Sequence, residues 1–198
     1  MYGVGNNWAV SPTTNAGYYR ASAASSGTAA YALLKYNAGP NGIAYLVSIV
    51  STGNDSGKTF TIVGHAMGTA PGFVTTEVVT GPNTTTVYST NYFDTITSIT
   101  PSATTTGSIG IGVLGTSVAL PRTRVKSVYY VGGASAGSIK VNLNSATGTL
   151  LLQIDTPALA TMASYMYMQD GIFIQGSTNN DYGVVTLTNV TFSTLICG

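Results

Sequence analysis

From about residue 30 onward, short runs of Val, Ile, Leu, Thr, Phe and Tyr are broken every few residues by clusters of Gly, Pro, Asn and Asp. This punctuation suits short β-strands joined by tight turns, because β-branched and aromatic side chains pack on a pleated surface while Gly and Asn supply turn conformations. No sustained helical period appears, so an alternating α/β fold is excluded and the expected class is all-β, as one or two sandwich-like or barrel-like modules.

Strands are expected near residues 30–36, 43–51, 58–65, 74–79, 84–88, 93–100 and 108–114, and again near 124–131, 138–143, 149–155, 171–175, 184–188 and 190–196. Residues 157–168 carry Ala158, Leu159, Ala160 and Met162 and are the segment best suited to a short helix; the Ala-rich piece 21–30 is a weaker one. Residues 1–28, rich in Gly, Asn, Ser, Thr and Ala, show no steady period and read as an extended N-terminal arm that orders against a neighbour. Gly115 and Pro121 punctuate the middle, so the expected organisation is an arm over 1–28, one β module over 29–118 and a second over 119–198.

Charge narrows the function. Only 7% of the 198 residues are charged, against roughly 25% in an average domain. A surface made of Thr, Ser, Asn, Gly and Tyr can meet a neighbour without the desolvation cost of buried charge, which points to assembly. The net charge is +1. The densest basic cluster is Arg122, Arg124 and Lys126, too small for phosphate-backbone binding, so no direct nucleic-acid partner is expected. The first ten residues lack the cationic and apolar segments of a secretory signal, and no apolar stretch reaches the roughly 18 residues of a membrane helix, so no membrane partner is expected either. The one cysteine, Cys197, reads as a buried strand-end residue, with an intermolecular crosslink as the sharper alternative.

Four patterns invite chemistry. Gly110 to Gly115 matches G-x-G-x-x-G, but Pro121 forbids a crossover helix and no acidic residue follows until Asp155; the glycines suit a bulge or a domain junction. Gly53 to Thr59, GNDSGKT, is one residue short of a phosphate loop and runs into a strand, not a helix. His65 is the only histidine, so any acid–base or nucleophilic arrangement built on imidazole would have to use it, and the sequence implies no local partner. Asp155, Asp170 and Asp181 sit beside Thr, Gly or Asn and read as turn-capping residues, with the oxygen-rich run 177–181 offering at most a weak calcium site. The expectation is therefore a protein that is not an enzyme and has no catalytic residues, cofactor or metal.

Tyrosine is the abundant functional side chain, thirteen in all. It buries large apolar area yet keeps a polar tip, which suits interfaces. Of two adjacent tyrosines on a strand, one must point away from the core. Trp8, Tyr18, Tyr19, Arg122, Arg124, Tyr129 and Tyr130 are the expected interface residues. Exposed aromatic rings also suit a carbohydrate-binding adhesin, the rival class.

Three stretches add a resemblance. They are Asp55 to Ile62 running to Thr76-Glu77-Val78-Val79-Thr80-Gly81-Pro82-Asn83, then Tyr92-Phe93-Asp94-Thr95-Ile96-Thr97-Ser98-Ile99, and later Leu120-Pro121-Arg122-Thr123-Arg124 to Ile139. Together they resemble β modules of tailed-bacteriophage structural proteins, over roughly residues 50–198. The resemblance implies a virion component, most often a capsid decoration or cement protein, commonly a trimer, whose partners are the major capsid protein or other virion proteins. Tail, connector and fibre-base components are its alternatives.

Overall fold

The computed structural model describes residues 7–10, 14–24, 27–34, 37–159, 162–178 and 180–197, with side chains for all of these except 7–10 and 192. The fold is all-β. Among the described residues thirteen strands form two antiparallel sheets, and one turn of 3-10 helix, Pro40–Gly42, is the sole helical piece. The chain divides into two compact units, residues 14–114 and residues 115–198 together with 1–13.

The unit of residues 14–114 contains β2 (Asn15–Ala23), β3 (Ala44–Ser51), β4 (Thr59–Ala66), β5 (Thr75–Thr80), β6 (Thr86–Pro101) and the first half of β7 (Ile109–Leu120). Its strand order is β7-β3-β6-β4-β5, with β2 also laid along β7. Strand β4 alternates strictly, burying Phe60, Ile62, Gly64 and Ala66 while the residues between stay half-buried, the period-two pattern of a one-sided sheet. Phe60, Phe93, Ile49, Ile62, Ile96, Ile99, Ile109 and Ile111 are sealed from water. Each contributes roughly 1.5–3 kcal/mol relative to exposure.

Strand β6 joins two expected strands, 84–88 and 93–100, into one of 16 residues. Its pairing with β3 skips from Tyr88 to Tyr92. The interruption is capped from both sides: Ser89 Oγ accepts from the Val47 N–H at 2.8 Å, and the Glu77 carboxylate accepts from the N–H groups of Thr90 and Asn91 at 2.5 and 3.0 Å. Sequence punctuation at Ser89-Thr90-Asn91 was thus a bulge, not a strand end.

The unit of residues 115–198 and 1–13 contains β1 (Asn7–Val10), the second half of β7, β8 (Arg124–Gly132), β9 (Gly137–Leu143), β10 (Leu150–Thr156), β11 (Ala163–Phe173), β12 (Gly183–Thr188) and β13 (Val190–Cys197). Four of these make a sheet in the order β1-β13-β8-β11, and a second ladder runs β10-β9-β12-β7. Val118, Leu120, Val125, Val128, Ile139, Val141, Val184, Val185 and Leu195 are sealed in its core.

Several expectations are corrected. Residues 163–173 form strand β11 where a helix over 157–168 was expected; the alternation Ser164-Tyr165-Met166-Tyr167 pairs residue by residue with β8, and that ladder overrides the helix-forming residues before it. Residues 160 and 161 lie outside the described residues. The described part of 30–36, residues 30–34, is irregular, and residues 21–23 are strand and not helix. The described arm is not loose: β1 pairs with β13 and β2 with β7. Strand β7 runs on to Leu120, past Gly115, because residues 117–120 pair with β12. Its glycines serve close approach: a Cβ at Gly110 would lie 2.9 Å from the Ala16 carbonyl oxygen, and one at Gly112 would lie 1.7 Å from that of Asn15. The G-x-G-x-x-G spacing is a crossing point for β2 on a strand.

Candidate functional site

Strand β11 closes one side of the four-stranded sheet and has β8 as its neighbour. Directly opposed residues of an antiparallel pair share a face. One face therefore carries Tyr165 opposite Tyr129 and Tyr167 opposite Ser127. The other carries Met166 opposite Val128. Val128 is sealed in the core, while Tyr165 and Tyr167 are 61% and 65% exposed and Met166 is 39% exposed. Met162 and Phe173, at the two ends, are also exposed. The strand bulges between Tyr167 and Ile172, where Gly171 takes φ 66° and a Cβ would press on the Arg124 side chain at 2.7 Å. An apolar, aromatic edge strand of this kind offers unpaired backbone groups beside large rings, the chemistry of strand addition and sheet-to-sheet docking. Asp170 is its one charged residue.

At the end of this edge, Arg122, Thr123, Arg124, Phe173 and Gln175 line a shallow depression of about 460 Å³. The Arg124 guanidinium carbon lies 4.0 Å from the centre of the Phe173 ring, a cation–π stack.

Five of the six carboxylates, in contrast, are engaged within the chain. In the GNDSGKT turn Asp55 is fully buried. It accepts from the Lys58 ammonium at 2.6 Å, the Ser51 hydroxyl at 2.6 Å, and the Thr106 and Gly107 N–H groups at 2.7 and 3.3 Å. Burial pushes its pKa up, but these four donors outweigh it and hold the carboxyl well below the usual range. A Cβ on Gly107 would lie 2.1 Å from the Gly53 nitrogen, so the two loops meet only because both positions are glycine. Lys58 is the ion-pair partner inside this lock.

Asp181 is likewise saturated. Its carboxylate accepts from the Asn144 amide at 2.8 Å and from the Thr178 N–H and hydroxyl at 2.7 and 2.9 Å, and these bonds lower its pKa, Asn144 most. Its oxygens are taken up by these donors, which is the wrong arrangement for calcium; residue 179 of the run lies outside the described residues. No cluster of three or more metal-ligating side chains occurs among the described residues. Asp155 and Asp170 stand on strands β10 and β11 and not in turns; Asp155 accepts from Gln153 at 2.7 Å.

His65 does have a partner, which the sequence did not suggest. Its Nδ1 lies 2.9 Å from Asp94 Oδ2, brought across the β4–β6 ladder. Its Nε2, the atom that would take a nucleophile's proton in a hydrolytic triad, is shut off from solvent and has no hydrogen-bond partner among the described residues.

The expected interface residues separate. Trp8 lies on β1 opposite Leu195; its side chain is outside the described residues. Tyr18 is half-buried and packs edge-on against Tyr19, their centres 5.0 Å apart. Tyr19 is wholly buried and belongs to the core; burial, with lesser contributions from Tyr18, Tyr45 and Asp94, pushes its phenol above the ordinary range. Tyr130 is also buried, and Tyr129 is the outward, half-buried member of its pair. Arg122 and Arg124 line the depression at the end of β11. The structure thus brings Arg122, Arg124 and Tyr129 to one edge and adds Tyr165, Met166, Tyr167 and Phe173; period-two spacing could have flagged the two tyrosines and Phe173, but not Met166. Cys197 is a buried thiol on β13; burial outweighs a hydrogen bond with Thr123 and pushes it up to about 11, unsuited to crosslinking. Comparison with family models, with curated proteins and with solved structures found no match.

Proposed function

We propose that this chain is a non-enzymatic structural component of a bacteriophage particle, a capsid decoration (cement) protein that binds other virion proteins and copies of itself through sheet edges. The observation that carries the proposal is strand β11: an edge strand with Tyr165, Met166 and Tyr167 turned to solvent. A lone soluble domain gains nothing from such a strand and risks aggregation; a lattice protein uses it. Five of the six carboxylates engage partners inside the chain, so little charge has to be dehydrated when another protein covers the surface. Many copies, each with a modest contact, reinforce a shell by multivalency. The turn and strand patterns of residues 55–62, 76–83, 92–99 and 120–139 support the phage context by resemblance.

The test is to express the chain with a Tyr165→Ser/Tyr167→Ser variant alongside. Each is added to purified particles lacking the protein, then imaged by cryo-electron microscopy. Copies on every capsomer, lost in the variant, are expected. A single ring of copies at one vertex would make it a connector or tail component, and no particle density at all would sink the virion reading.

A carbohydrate-binding adhesin is the second reading. It is favoured by Tyr129, Tyr165 and Tyr167 standing on one face, since stacked sugars use such platforms. Glycan-array binding abolished by the same double variant, with no particle attachment, would select it.

A further inference from the structure

We propose that the depression at the end of β11 is a receptor for a carboxylate, presented by an acidic side chain of a partner protein. Its walls are Arg122, Thr123, Arg124, Phe173 and Gln175. The Arg124 guanidinium is already partly stripped of water. One face lies over the Phe173 ring at 4.0 Å, and its Nε is shut off from solvent with no hydrogen-bond partner among the described residues. Among the described residues no carboxylate makes an ion pair with Arg124. Asp170, two residues before Ile172 on the same edge, does not neutralise it.

A cation that has lost hydration without gaining a counter-charge is costly, and the guanidinium keeps N–H groups besides Nε with which to gain one. The remaining guanidinium N–H groups border an open depression with a second guanidinium, a hydroxyl and an amide on its rim. That set matches a carboxylate. The flat guanidinium fork pairs with two coplanar oxygens, the aromatic ring fixes the plane of the fork, and the Gln175 side-chain amide can donate to an outer lone pair. The origin of the carboxylate in a partner protein rests on the assembly reading; the site itself does not.

The test is nuclear magnetic resonance on the full, isotopically labelled chain at constant ionic strength. The probes are N-acetylglutamate amide, its glutamine counterpart and inorganic phosphate. The Arg124 Nε–H and Gln175 side-chain amide signals are expected to shift saturably with the glutamate probe and not with the glutamine probe. In Arg124→Lys the Gln175 response should vanish. Phe173→Leu keeps the guanidinium, and should bind the probe roughly two- to fivefold more weakly, the loss of one cation–π contact. Equal shifts with the glutamine probe would overturn the proposal. So would an equal response to phosphate, which would mark a general anion site, or a Gln175 response unchanged in Arg124→Lys. Because the probe is a small amide, such failures strike the site and leave the particle-binding reading standing.

Discussion

Two regions of this chain treat polarity in opposite ways. In the turn at Asp55 an ion pair, a hydroxyl and two backbone amides are gathered around a buried carboxylate, where Gly53 and Gly107 let the loops meet. On β11 two tyrosines and a methionine stand in water. An ordinary domain sorts these groups the other way round. The contrast teaches where each kind of residue is spent. Scarce charge holds loops to the sheet, and aromatic area is left outside, where a second protein can use it.

The comparison can be broken hardest at the turn. Asp55→Ala leaves the Lys58 ammonium and the Thr106 and Gly107 N–H groups without their acceptor, and should cost about 3–5 kcal/mol, read by chemical denaturation. Tyr19→Ala, which empties a sealed site in the same unit, should cost a similar ~3–5 kcal/mol.

Acid should reach the turn by another route. The Asp55 carboxyl titrates below its unfolded value of about 3.9, so its contribution is complete above that pH and drains away as the pH falls further. Thermal melts from pH 5 downward should show this loss, and Asp55→Asn should flatten it. At the alkaline end the sign reverses. Burial, with a lesser contribution from Tyr18, pushes Tyr45 up to about 12, so stability should hold below the ordinary phenol value of about 10 and decline above it.

The smallest effect on folding belongs to β11. Tyr165→Ser/Tyr167→Ser should leave the unfolding free energy within about 0.5 kcal/mol of the parent, since both rings are exposed. The same change should lower the mass of any self-assembled species in analytical ultracentrifugation. A large loss of stability with unchanged mass would mean the rings serve the fold.

Much of the sheet was legible because its signal is local. Strands β3, β4, β8, β9, β12 and β13 fall where alternation and turn residues place them. What escaped depends on partners distant in sequence. Strand β2 has a single buried residue, Tyr19, and exists because it lies along β7. Strand β11 hid behind Ala158 and Leu159, whose helix preference outweighed two tyrosines until β8 supplied a ladder. The edge site was half visible: Arg122, Arg124 and Tyr129 could be named, while Tyr165, Tyr167 and Phe173 needed the register. The His65–Asp94 pair could not be foreseen, since 29 residues separate its members.

The pairing of Asn7 with Ile196 sets an order of events during synthesis. A ribosome adding about 5–20 residues per second needs roughly 10–40 s to travel from one partner to the other. Through that interval the β1 segment has no mate, and β8 emerges before β13 can flank it. The cell must therefore carry a nearly uncharged, tyrosine-rich nascent chain through a window in which like strands on neighbouring polysomes could pair instead, and slower translation should lengthen that hazard.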